Sequence, residues 1–231
     1  MTDPHAEPRI LALGPSPEEA RSTLLLFHGR GGAPEDVLGL AQHLAIPDVA
    51  VLAPGAAGRS WWPESFLAPL AANEPHLSSA LRMAGAILDD LGGRGVAPER
   101  IALGGFSQGA CLAAEVAARR PAAWRAVAVL SGALIGTAEG EGTPDRALHG
   151  AADKRMEYHG RLDGVPVLLG CHERDPHIPL ARVRRSADVL RAMGAAVTEH
   201  VMPGAGHGID EAELRWLAEA LAPVAAARGA R

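Results

Sequence analysis

The stretch Ile101-Ala-Leu-Gly-Gly-Phe-Ser-Gln-Gly109 constrains this chain more than any other. Its short apolar run reads as a buried strand, and the following Ala110-Cys-Leu-Ala-Ala-Glu-Val-Ala-Ala118 reads as a helix. Ser107 therefore falls at the turn between them. A strand that reverses directly into a helix leaves no room for side chains beside its apex, and Gly105 and Gly109 lack the Cβ that would clash there. Ser107 Oγ is then expected to stand exposed above the C-terminal edge of a sheet. The N–H of Gln108, at the helix start, would point toward negative charge formed beside it. The pattern G-x-S-x-G is weak alone, since an ordinary Gly-rich turn can carry it; its strand and helix give it meaning.

The rest of the chain repeats that alternation. Apolar runs predict strands over 21–28, 48–53, 127–131, 166–170 and 196–202, and helical spacing appears over 34–44, 77–91, 180–193 and about 210–222. This order predicts a single α/β domain over 21–231, with a mostly parallel central sheet and helices on both faces. Residues 1–20 read as a mobile N-terminal segment or an edge strand. Residues 132–164, rich in Gly, Thr, Pro and charges, read as a mobile loop near a pocket. With three Phe and one Tyr in 231 residues, the core must be built from many small aliphatic contacts.

A net charge of −5, without basic runs interleaved with aromatics, excludes a nucleic-acid footprint. No stretch is apolar for the roughly 18 residues a membrane span needs, and the first residues lack a signal-peptide pattern. A cytoplasmic location is expected. Cys111 and Cys171 then read as reduced, structural thiols. The acids and histidines of 132–164 fit no compact ligand spacing, so no metal site is expected.

Chemistry-bearing residues recur at strand ends. His28-Gly-Arg-Gly-Gly32 follows the first convincing strand and lacks both the dinucleotide fingerprint and the phosphate-loop Lys. An oxyanion loop fits better, with the backbone N–H of Arg30 as donor and His28 bracing the glycines. Half of the four tryptophans lie in Gly58-Arg-Ser-Trp-Trp-Pro-Glu-Ser-Phe66, so Trp61, Trp62 and Phe66 are candidates for lining a pocket, with core plugging as the alternative. Asp175 follows the strand at 166–170, with His177 near it as a further candidate for ligand contact. His207 is flanked by glycines after the last strand. The chain order Ser107, Asp175, His207 suits a nucleophile, an orienting acid and a general base.

Together, Gly105-Phe-Ser-Gln-Gly109, His28-Gly-Arg-Gly-Gly32, the 170–179 stretch with Asp175 and Ile178-Pro179, and Gly206-His207 resemble the phospholipase/carboxylesterase family of α/β-hydrolases, over about residues 21–222. The resemblance implies an α/β-hydrolase fold and a cofactor-free serine esterase with Ser107, Asp175 and His207 as its reactive residues, taking a small-molecule ester or thioester. A homodimer is compatible with the sequence. Acyl-protein thioesterases of this family usually carry an apolar residue followed by Gly-Asp in the oxyanion loop, where this chain has Arg30-Gly31-Gly32. The Trp61-Trp62-Pro63 loop looks closer to bacterial carboxylesterases, so esters of small to medium acyl chains are favoured. A lysophospholipase or acyl thioesterase is the alternative. A lactonase, which would use Cys in place of Ser107, and a non-catalytic binding protein on the same fold rank lower.

Overall fold

The computed structural model describes residues 3–44, 46–140 and 142–222. The domain expected to run to residue 231 therefore has its last nine residues outside the described ones. In chain order the elements are β1 (Ile10–Leu13), β2 (Ser22–Phe27), α1 (Pro34–Leu44), β3 (Val49–Pro54), α2 (His76–Gly93), β4 (Ile101–Phe106), α3 (Gln108–Arg119), β5 (Ala126–Leu130), β6 (Ala138–Glu139), β7 (Lys154–Arg155), β8 (Pro166–Arg174), α4 (Leu180–Ala192), β9 (Ala196–Ala205) and α5 (Glu211–Leu221). Seven strands form one sheet in the order β1-β3-β2-β4-β5-β8-β9, and β6 and β7 pair as a separate small hairpin. Only β1 runs antiparallel in the large sheet; every other pairing is parallel. The chain is thus a single-domain α/β protein with a mostly parallel central sheet.

Alternation along the strands divides the interior in two. Leu25, Phe27, Leu103, Val127, Val129, Val167 and Leu169 turn toward α2, α3 and α4. Leu24, Leu26, Ala102, Ala126, Ala128 and Leu168 turn toward α1 and α5. Continuous apolar runs are what a parallel strand covered on both faces requires. The alanines of α3 let it lie flat against the sheet, and every residue from Gln108 to Ala118 is buried.

β8 and β9 extend past the expected strand ends, pairing as far as Arg174 and Ala205 with a register shift between His172 and Arg174. The extension carries polar residues, so backbone pairing rather than an apolar face holds it. At the other edge β1 lies antiparallel on β3. Upstream of it, His5 is buried, donating its backbone N–H to Ser79 Oγ at 2.8 Å and contacting Trp61 O through Nε2 at 3.0 Å.

Backbone packs tightly against backbone where β4 becomes α3. A Cβ on Gly105 would sit 2.3 Å from Gly109 O, and one on Gly109 would sit 2.2 Å from Phe27 O. Three backbone segments meet here with no space for a methyl group. Gly109→Ala is accordingly expected to cost about 3 kcal/mol or more, read as a lower urea midpoint with an unchanged slope.

A second prediction comes from α5. Asp210 caps this helix by accepting from Ala212 and Glu213 N–H, and Glu213 Oε2 accepts from Asp210 N–H at 2.9 Å. Glu213 is fully buried, and among the described residues its Oε1 has no partner. Burial pushes its carboxyl up to about 7 from 4.5. A carboxyl raised on folding gives stability that is complete below its unfolded value and lost as pH rises through its folded value. Stability should therefore fall between about pH 4.5 and pH 7, by on the order of 3 kcal/mol. Denaturant melts of Glu213→Gln should show that slope flattened.

Candidate active site

Ser107, Asp175 and His207 follow β4, β8 and β9, so the parallel sheet brings all three to its C-terminal edge. Ser107 has φ 56° and ψ −118°, a left-handed backbone that a non-glycine residue holds only under strain. The surroundings hold it there: Ser107 N–H donates to Leu130 O at 2.9 Å, and Ser107 O accepts from Cys111 N–H at 3.0 Å.

His207 joins the other two. Its Nε2 is 2.8 Å from Ser107 Oγ, and its Nδ1 is 2.8 Å from Asp175 Oδ2. An ionised carboxylate only accepts, so Nδ1 carries the proton and Nε2 faces the hydroxyl with its lone pair. Asp175 Oδ1 accepts from the N–H groups of His177 and Ile178 at 2.8 and 3.0 Å. Burial alone would push the Asp175 carboxyl up; the bonds from His207 and these two N–H groups outweigh it and hold the carboxyl below its ordinary value. Phe106 and His177 flank the imidazole, with ring centroids 5.0 and 4.9 Å away.

Two further residues steady this arrangement, and of these only Ser131 is absent from the sequence-level candidates. Ser131 Oγ donates to Gly208 O at 2.8 Å, pinning the loop that bears His207. His28, expected to brace the Gly-rich loop, contacts Gly29 O through Nδ1 at 2.7 Å and accepts from Ala56 N–H through Nε2 at 3.0 Å. Burial lowers its pKa, favouring the neutral ring that can do both. The loop it braces lies against the turn that carries Ser107, since a Cβ on Gly29 would be 3.4 Å from Ser107 Cβ. Among the described residues, the N–H groups of Arg30 and Gln108 donate to no other group.

A cavity of about 490 Å³ opens over Ser107 and His207, lined among others by Arg30, Trp62, Phe66 and His177. Trp61 does not line it. Its ring is fully buried, edge-on to Phe27 and beside His28, with Nε1 donating to His28 O at 2.8 Å. Trp62 is nearly as buried and packs in the same core cluster, but its ring also borders the cavity.

The strap that carries Trp62 and Phe66, residues 61–73, takes no part in the sheet, and side chains hold its backbone. Gln108 Oε1 accepts from Trp61 N–H at 2.9 Å while its Nε2 donates to Trp62 O at 2.8 Å. The Arg30 guanidinium donates to Pro63 O and Glu64 O. Buried Asn73 accepts from Glu64 N–H at 2.9 Å and donates to Ser65 O at 3.0 Å. Sequence reasoning assigned Arg30 and Gln108 only their backbone donors; nothing in residue spacing signals these ties.

Among the described residues no helix is long and apolar enough to cross a membrane. Residues 11–224 match the phospholipase/carboxylesterase family model. A solved phospholipase/carboxylesterase from Dyadobacter fermentans superposes with a TM-score of 0.81 at 32% identity, covering 93% of this chain and 96% of the other. The Bacillus cereus carboxylesterase superposes with a TM-score of 0.69 at 21% identity, covering 93% of each chain. Mouse lysophospholipase-like protein 1 is 26% identical over 142 residues, which is 61% of this chain and about half (54%) of that protein's length. A family match along nearly the whole chain, on a sheet of this order, places the protein in the phospholipase/carboxylesterase family of α/β-hydrolases.

Proposed function

We propose that this protein is a serine hydrolase that cleaves carboxylic esters of small to medium acyl length through an acyl-enzyme on Ser107. The observation that carries the reading is the continuous hydrogen-bonded line from Ser107 Oγ through His207 to buried Asp175 at the edge of a 490 Å³ cavity.

Ser107 Oγ attacks the ester carbonyl while His207 Nε2 takes its proton, a general-base step typically worth about 10²- to 10⁴-fold. Asp175 keeps the imidazole in the competent tautomer and stabilises the imidazolium. The carbonyl oxygen, now negative, accepts from the N–H groups of Arg30 and Gln108, each such donor being worth about 10²- to 10³-fold. Collapse expels the alcohol, which leaves with the proton from His207. Water, deprotonated by the same nitrogen, then attacks the acyl-enzyme and releases the acid. These steps draw on no cofactor.

Trp62 and Phe66, with His177, are assigned to substrate contact because they form the cavity wall. The name of the mouse relative favours a second reading, a lysophospholipase or acyl thioesterase, which would need room for a long acyl chain.

Hydrolysis of p-nitrophenyl acetate, butyrate and octanoate, with intact-protein mass spectrometry after a fluorophosphonate probe, separates these readings. The expected result is fastest turnover of acetate or butyrate and one adduct on the wild type. Ser107→Ala should lose both hydrolysis and label, and Asp175→Asn should lose on the order of 10³- to 10⁴-fold in kcat. Octanoate turned over as fast as butyrate would favour the second reading. Retained hydrolysis in Ser107→Ala would overturn the nucleophile.

A further inference from the structure

The strap is gripped from Phe66 onward, where it leaves the cavity wall, by a part of the chain that the reaction does not use. Lys154, in β7, is 2% exposed, and its Nζ donates to Phe66 O and, at 2.8 Å, to Ala68 O. Its cross-strand partner Glu139, in β6, accepts through Oε1 from Leu70 N–H. The two arms of one hairpin thus hold three consecutive alternate residues of the strap that carries Phe66, and Phe66 faces the cavity.

The hairpin stands on a rigid base. Glu115 of α3, fully buried, accepts from Ile135 and Gly136 N–H at 2.7 and 2.9 Å. Arg182 of α4, also buried, donates to Leu134 O at 3.0 Å and pairs with Asp153 at 2.5 Å, next to Lys154. α3 is the helix that begins immediately after Ser107. The nucleophile and the hairpin are therefore referenced to the same element.

A buried ammonium is costly unless its donors are used. Burial pushes Lys154 down to about 8, and among the described residues it has no ion-pair partner. An apolar side chain would fill the same volume without that cost; what the ammonium adds is a bond to two carbonyls of the wall.

We propose that the β6–β7 hairpin clamps the Phe66–Leu70 strap and thereby sets the acyl length the cavity accepts, with Lys154 as the positioning residue and Glu139 as its second arm. This rests on the esterase reading above. Freed from the clamp, the strap keeps its ties to Gln108, Arg30 and Asn73 but loses those on the Phe66 side, so Phe66 can retreat and admit a longer chain.

The test is kcat/KM for p-nitrophenyl esters from acetate to decanoate with wild type, Lys154→Met, Glu139→Ala and Arg161→Ala. Lys154→Met should raise the octanoate-to-acetate ratio about tenfold, mainly through a lower KM for octanoate. Glu139→Ala, at an exposed position, should shift the ratio the same way by a smaller factor and remains informative if Lys154→Met does not fold. Arg161→Ala, which breaks an exposed pair with Asp163, should follow the wild type. Profiles of the clamp variants that superpose on the wild type, or fall by one common factor at every length, would overturn the clamp and leave the esterase reading standing. A wild type that cleaves none of the series would overturn both.

Discussion

The site depends first on a contact between backbones. β4 reverses into α3 so closely that Gly105 meets the carbonyl of Gly109, and Gly109 meets the carbonyl of Phe27 in β2. No side chain can enter, so Ser107 takes the strained conformation that lifts its hydroxyl clear of the sheet. The same closeness sets the start of α3 at Gln108, immediately after Ser107. Strain of this kind persists only where surroundings over-determine it; here the bonds from Ser107 to Leu130 and Cys111 do so.

Around this rigid centre the remaining parts are held by polar side chains. Asp175 and Ser131 fix the two sides of the His207 loop, and His28 fixes the loop that bears Arg30. Gln108 follows Ser107 at the start of α3, where its N–H is proposed as a donor to the reacting carbonyl, while its side chain grips the backbone of Trp61 and Trp62. On that proposal, a change at this position would alter donor placement and cavity shape together.

The fold and the Ser107, Asp175 and His207 line were legible because their determinants are local. Glycines beside Ser107 and around His207, and apolar runs that end at each functional residue, state the geometry directly in sequence. Trp61 and Trp62 were not separable, because both rings are buried and only Trp62 borders the cavity, a difference set by partners distant in the chain such as Phe27 and His28. The segment 132–164 is opaque for a similar reason. Ile135 and Gly136 donate to Glu115 of α3, Leu134 accepts from Arg182 of α4, and Lys154 reaches the strap, and such pairs obey no periodicity. The added length of β8 and β9 comes from backbone pairing beneath polar side chains, which hydrophobic patterning does not register.

The strap over 61–73 contributes no strand to the sheet, and the side chains that fasten it are spread over the Gly-rich loop, α3, the strap itself and a peripheral hairpin. Apart from Trp61, whose ring packs against Phe27 of β2, substitutions along it fall outside the sheet strands and outside the turn at Ser107. An enzyme built this way can change what it accepts faster than it changes how it reacts, and descendants of one ancestor could diverge in substrate while their reaction centres stayed superimposable.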